Sequence, residues 1–339
     1  MSPREVVGSA TGRELRVAVV GAGWMGEAHL RGYAAQPGVR IVGLVTHTPA
    51  RATELASRYH IEASFDDVEA MLEATAPDGI SVTTGEHDHV VPACAALDRG
   101  VGVLVEKPMA SSVEDAERIV AAARSSGAIL VPAHVLRFTL PYQALAREVA
   151  SGRLGSIVAI SSRRDRTRAV AEAYGHVHPA MVSSVHDIDL VLWLTRSRVR
   201  RVRALESRRL GGAQPELIWA QLELEDGVIA SVATAMLHPP EGSIGTSDRL
   251  EVYGTEGVAS VDLSSPLLTF HTRPPALPDW LWEPPDGGGA FGTEIGHFCA
   301  CLREQRASDV VSGQDAVAGI RVAAAMVRSA ADDGAVIEL

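Results

Sequence analysis

Lysine is all but missing from this chain. Lys107 is the only one among 339 residues, although Lys and Arg together number 31, so arginine supplies positive charge everywhere else. Cysteine is scarce too. Cys94, Cys299 and Cys301 are too few and too oddly spaced for a disulfide framework or a zinc site, and Cys299 and Cys301, two apart in an expected helix, do not face each other. Such usage points to a reduced, soluble protein of the cytoplasm. No run of about 18 apolar residues is present to cross a membrane. The opening MSPREVVGSATGRE lacks the basic-then-apolar order of a signal peptide, so residues 1–14 read as a short disordered tail. A net charge of −11 and a pI near 5.6 argue against nucleic acid or a membrane surface as partner. Two basic runs, RRDRTR (163–168) and RSRVRRVR (196–203), read as solvated faces, because charged and apolar residues alternate in the second as in a half-exposed strand.

What the chain does have is 46% apolar residues, enough for one large core or two of ordinary size. From Leu15 to about residue 137, β-branched runs (LRVAVVG, VRIVGLVTH, GISVTTG, VGVLVEK, AILVPAH) alternate with helical stretches at 49–59, 89–99 and 112–126. Nearly continuous apolar strands separated by helices predict a doubly wound parallel sheet of the Rossmann type. The rhythm then changes. After a helix at 141–152, a strand at 156–163 and a long helix at 182–195, strands follow one another with turns at E225-D-G227 and G254-T-E-G257. Residues 138–339 therefore read as an α+β domain with a large, mostly antiparallel open sheet, two C-terminal helices (293–305 and 313–332) and a short last strand. The Pro/Gly-rich segment 271–289, with Trp280 and Trp282, reads as a long loop, a lid or subunit contact being as good a reading as plain surface.

VVGAGWMG (19–26) follows the first strand and opens a helix, giving G-x-G-x-x-G at Gly21, Gly23 and Gly26. In that context backbone N–H groups and a positive helix end face a pyrophosphate, with Trp24 and Met25 inside the loop. Thr84, closing the third strand, and His89, opening the next helix, are assigned to the same cofactor. The second strand of such a domain usually ends in an acid for the adenosine ribose, but here it runs VTHTPAR (45–51). Thr46 stands in the acid's place. A 2′-phosphate is then not repelled, and Arg51 or His47 could meet it, which leans toward NADP over NAD. Lys107 ends the fourth expected strand, at the sheet edge where ligands sit. An ammonium is compact and, partly buried, shifts its pKa down from ~10.4, as a guanidinium cannot. The site needs an amine.

GAGWMG (21–26), EKP (106–108) and SVHDIDLVLWL (184–194) together resemble the glucose–fructose oxidoreductase/inositol dehydrogenase/rhizopine catabolism (Gfo/Idh/MocA) family, and VYGTEG (252–257) and FGTEIGHF (291–298) resemble its C-terminal domain. The resemblance runs from about Arg16 to Leu339. It implies an NAD(P)-dependent oxidoreductase acting on a CH–OH group of a sugar, sugar derivative or cyclitol. The nicotinamide would lie at the domain interface, and the outer face of the large sheet would pair subunits into a homodimer or homotetramer. Glu106 would meet the nicotinamide ribose, Lys107 both cofactor and substrate hydroxyl, and His186 would be the acid/base. Histidine suits that role, because oxidising a secondary alcohol moves a hydride to the nicotinamide and a proton to a base of matching pKa.

One departure stands out. Inositol dehydrogenases of the family usually carry an Asp four residues before the histidine, and this chain has Val182, leaving Ser183 as the nearest polar residue on that helical face. Arg137, Tyr142 and Arg164 are further candidates for substrate hydroxyls. No metal is expected: His176, His178 and His186 lack a carboxylate at fitting geometry. Two rivals stand beside the dehydrogenase: a dinucleotide-binding regulator without catalysis, and a glycosidase or lyase with internal redox cycling of bound NAD.

Overall fold

The structure, a computed structural model, describes residues 13–239, 246–263 and 288–339. Residues 1–12 of the expected tail and 271–287 of the loop around Trp280 and Trp282 lie outside the described residues. Six parallel strands form the first sheet: β1 (Leu15–Val20), β2 (Val39–Val45), β3 (Ser64–Phe65), β4 (Gly79–Val82), β5 (Gly102–Glu106) and β6 (Leu130–Ala133), in the order β3-β2-β1-β4-β5-β6. Every residue of β4 and β5 is buried, as expected of strands covered on both faces. The chain reverses its direction of travel across the sheet between β1 and β4, and a crevice opens at their C-terminal ends. The sequence reading missed β3, too short to show a period, and the helix α3 (Val68–Thr75) after it, capped by Asp67 accepting from Ala70 N at 2.8 Å. Lys107 thus follows the fifth strand rather than the fourth, on the same edge.

Helices α1 (Trp24–Ala34), α2 (Pro49–Tyr59), α4 (Val90–Leu97) and α5 (Val113–Ser126) make the crossovers. A C-terminal helix completes the layer. Ile295, Phe298 and Leu302 of α9 (Gly289–Glu304) join the apolar core built on β1. Glycine permits that approach: a Cβ on Gly102 would stand 2.4 Å from Leu302 Cδ2, and one on Gly79 2.7 Å from Leu302 Cδ1.

The second sheet has seven strands: β7 (Ile157–Thr167), β8 (Val199–Ser207), β9 (Leu217–Leu224), β10 (Ile229–His238), β11 (Thr246–Gly254), β12 (Val258–Asp262) and β13 (Ile337–Glu338), in the order β12-β11-β7-β10-β9-β8-β13. All neighbours pair antiparallel except β7 and β10. Both expected hairpin turns are present, the first through Gly227 at φ +87°. Helices α6 (Leu140–Ala150), α8 (Val185–Thr195) and α10 (Gly313–Ala331) share one core with this sheet, while the short α7 (Arg168–Ala173) follows β7. Val158, Leu205, Trp219, Ile229, Tyr253 and Val258 stay exposed.

Two local readings need correction. The basic run 163–168 is not a solvated face, because alternation along β7 points Arg164 inward, where it is 1% exposed between Asp187 and Asp248. Nor is the helix at 182–195 regular: Ala180–Ser184 is π-helical before α8 begins at Val185. A π turn winds more residues per turn, so the spacing from Val182 to His186 is not one α-helical turn, and Ser183, 3% exposed, is absent from the cleft lining described below.

Candidate active site

The glycine loop is built for a phosphate. Gly21 has φ +106°, and a Cβ there would come within 2.8 Å of the Thr83 carbonyl. A Cβ on Gly26 would stand 2.0 Å from Gly21 O, so the helix could not pack so close with any other residue. Gly23 is the opposite case: nothing lies within 4 Å of a Cβ built on it, and no side chain caps α1. A pyrophosphate fits this cradle of free donors and positive helix end. Thr83 Oγ1, 3.0 Å from Val20 O and 3.1 Å from Gly21 O, holds the loop to β4.

Beyond β2, Thr46 is half-buried and His47 exposed. Arg51 Nε donates to Ala22 O at 3.2 Å, while its guanidinium also meets Glu54 at 2.7 Å and Glu27. Arg58 pairs with the same two carboxylates. Burial opposes ionisation of Glu27, but the hydrogen bond from Arg51 and the charges of Arg51 and Arg58 hold its carboxyl below the usual range. Two arginines and two carboxylates balance here.

A cleft of about 550 Å³ opens at the strand ends, lined among others by Trp24, Met25, Thr84, His89, Glu106, Lys107, Arg164 and His186. Glu106, at the end of β5, accepts from Lys107 N at 2.9 Å and faces His29 Nε2 at 3.2 Å. Behind it run His29 Nδ1 to Ser81 Oγ (2.9 Å) and Ser81 Oγ to Tyr33 OH (2.7 Å), all buried. With Glu106 ionised, the donors fall in one sense, Tyr33 to Ser81 to His29 to Glu106. Burial opposes the charge of Glu106, yet the His29 hydrogen bond and the neighbouring His29 and Lys107 keep its carboxyl below its ordinary value. Glu294 on α9 goes the other way. Neither of its buried oxygens has a hydrogen-bond partner, and burial, then Glu106, push its carboxyl well above the usual range. The two carboxyls are thus pushed in opposite directions.

Lys107 Nζ donates to Val182 O at 3.1 Å, tying the first sheet's edge to the π-helical turn of the second domain. Burial pushes its ammonium below the ordinary value; Glu106 pulls upward, and Arg166 and Arg164 add to the fall. His186 is pushed well below its ordinary value by burial and then by Lys107, Arg164 and Arg166, so it is neutral at pH 7. Its Nδ1 is buried without a partner. His89 faces Pro108 O and Thr84 O at 3.1 Å each, so both ring nitrogens are engaged and it props the wall.

The structure does not bring every expected residue to the cleft. Arg137 is 3% exposed; it grips Asp189 through Nε at 2.9 Å and Nη2 at 2.7 Å and donates to Val310 O at 2.7 Å. Tyr142 is buried in the second core, which pushes its phenol up to about 12. Arg164 reaches the wall with its guanidinium already bound by two carboxylates. Glu86, Arg166, Tyr174, Val177, Thr246 and Phe291 also line the cleft, unforeseen. Two of them had a signal: Arg166 by its place in the basic run two residues after Arg164, hence on the same strand face, and Phe291 as the first residue of FGTEIGHF.

This is the site of an NAD-binding Rossmann oxidoreductase. The family model described as "Oxidoreductase family, NAD-binding Rossmann fold" matches residues 15–134, and the model of the GFO/IDH/MocA C-terminal domain matches residues 142–260. The chain belongs to the Gfo/Idh/MocA family. It is 31% identical over 260 residues to inositol 2-dehydrogenase 1 of Saccharopolyspora erythraea, covering 74% of this chain and 75% of that protein. It is 27% identical over 308 residues to inositol 2-dehydrogenase of Acidothermus cellulolyticus, covering 88% of each. The fold matches that of scyllo-inositol dehydrogenase from Lactobacillus casei with bound NAD(H) and scyllo-inositol, at a TM-score of 0.83 and 19% identity over 96% of this chain and 99% of that one.

Proposed function

We propose that this protein is an NAD(P)-dependent dehydrogenase for a secondary alcohol of a sugar, sugar derivative or cyclitol. One observation carries the reading: Lys107 and the neutral His186, from different domains, line one cleft that also holds the glycine-loop residues Trp24 and Met25. The nicotinamide cofactor, when bound, takes up or supplies the hydride. Gly21, Gly23, Gly26 and the uncapped start of α1 would hold its pyrophosphate, and Glu106 and Thr84 its nicotinamide half. Lys107 donates a hydrogen bond to the reacting oxygen and stabilises the alkoxide that forms on it. His186 accepts the hydroxyl proton. A histidine already neutral at pH 7 is poised to accept rather than donate, which favours oxidation.

At the adenosine end the absent acid leaves room for a 2′-phosphate, and this leans toward NADP, although Arg51 is shared with Glu27 and Glu54. Initial rates at 340 nm with NAD⁺ and NADP⁺, across inositols, hexoses, aminosugars and glycosides, test the reading. For an active pair, kcat/KM should climb with pH through a value below 6.5, as His186 loses its proton. It should then fall as Lys107 deprotonates below 10.5. A profile still rising above pH 8 would exclude His186 as the base.

The outer face of the second sheet pairs subunits in this reading. Trp219, Ile229, Leu205 and Tyr253 are large apolar side chains left exposed on strands β8 to β11. Light scattering should give at least twice the 35.8 kDa chain mass, and Trp219→Arg should lower it. A monomer mass for the wild type would remove this proposal.

A further inference from the structure

Beside the cleft lies a second cavity of about 320 Å³, and Tyr174, Val177 and Val182 line both. Its far wall is Leu210, Pro215 and Met236, from the β8–β9 connection and β10. Val182 is also the residue whose carbonyl accepts Lys107 Nζ at 3.1 Å, so the cavity begins one residue from the reactive amine. Three features make it a built pocket. Its lining is mainly apolar, with Val177, Pro179, Val182, Leu210, Pro215 and Met236 outweighing Arg168, Glu172, Gln214 and Glu216. Its walls are fixed by hydrogen bonds: Glu216, itself a lining residue, accepts from Ser207 Oγ at 2.5 Å, Arg209 N at 2.8 Å and Leu210 N at 3.2 Å. On the other side, His178 accepts from Ala180 N at 3.1 Å through Nδ1 and therefore donates from Nε2 to Glu206 at 3.1 Å. Finally, Tyr174 and Leu210 remain 42% and 54% exposed, two large apolar side chains left wet in a concavity.

We infer that the side cavity is a subsite for an apolar, aromatic substituent on the substrate, so that the ring oxidised beside Lys107 belongs to an aryl glycoside rather than a free sugar or cyclitol. The inference rests on the dehydrogenase reading above and names its substrate class. The ring hydroxyls stay with Lys107 and His186; the substituent crosses Val182 and packs against Tyr174 and Leu210. Tyr174 offers a ring face or edge to it.

Matched methyl and phenyl glycosides of the same sugars test this with the holoenzyme. The phenyl member should have a kcat/KM higher by about 30-fold, the order expected from burying an aromatic ring. Leu210→Gln and Val177→Thr should each bring that ratio down toward one. Equal values for methyl and phenyl pairs that do turn over would overturn the pocket and leave the dehydrogenase standing. If no glycoside turns over, calorimetry with phenyl and methyl glycosides on cofactor-loaded protein separates the two ideas. Tighter phenyl binding that Leu210→Gln removes would keep the pocket and discard the chemistry, whereas indistinguishable binding would discard the pocket as well.

Discussion

Lys107→Arg is expected to lower kcat by about 10²- to 10³-fold, the cost of losing one aligned donor to a developing oxyanion, with cofactor affinity changed by less than about 3-fold. Charge is retained in this variant, so the effect isolates geometry and proton affinity. The guanidinium is planar and broad, and it would have to leave the single carbonyl of Val182 that the ammonium now reaches at 3.1 Å. It would also bring a third arginine to a wall that holds Arg164 and Arg166. Lys107→Met should be at least as slow and should lose the alkaline limb of the pH profile, because no ammonium remains to titrate. Cofactor titration by fluorescence checks that the glycine loop still binds. Turnover within about 3-fold of wild type in Lys107→Arg would make the solitary lysine an accident of composition and remove the proposed mechanism.

The second large effect is on stability. Asp187→Ala should destabilise the fold by about 3–5 kcal/mol, the usual cost of stranding one partner of a buried ion pair. Arg164 is 1% exposed; its Nε and Nη2 meet Asp187 at 2.7 and 3.1 Å, and its Nη1 meets Asp248 at 2.7 Å. Ser162 Oγ also donates to Asp187. Removing Asp187 leaves the guanidinium with one carboxylate, which it shares with Arg166, and strands the Ser162 hydroxyl. Urea unfolding should show the loss as a lower midpoint at unchanged slope. Asp187→Asn, which keeps the size and an acceptor oxygen, should cost less. A loss under about 1 kcal/mol for Asp187→Ala would mean that solvent reaches this network and screens it.

These two residues show how far the sequence could be read. Lys107 was legible because a lone amine in an arginine-rich chain, at the end of an apolar strand, is a signal in one dimension. The glycine spacing at Gly21, Gly23 and Gly26 was legible for the same reason: a strand, a tight turn and a helix start are consecutive in the chain, and each glycine answers a local demand of φ or close approach. The ion pairs of Arg164 and Arg137 were not legible, because an arginine looks alike whether it faces water, a ligand or a buried carboxylate. Asp187 and Asp189, far along the chain, decide that question. The apolar walls at Tyr174, Val177 and Leu210 gave no signal, since such residues are ordinary core by composition and acquire meaning only by facing a cavity.

The sequence alone determined the two-part architecture, the glycine loop and the place of the solitary lysine at a strand edge of the first sheet. Each follows from periodicity, backbone conformation or residue chemistry within a few positions of the chain. Tertiary structure alone decided which charges are spent on one another and which remain for a ligand. It also returned α9 to close the first sheet, inserted a π turn ahead of His186 and opened an apolar cavity beside Lys107. Those outcomes depend on pairings between residues tens to hundreds of positions apart, where burial and Coulombic energy are set by distances that no local pattern encodes.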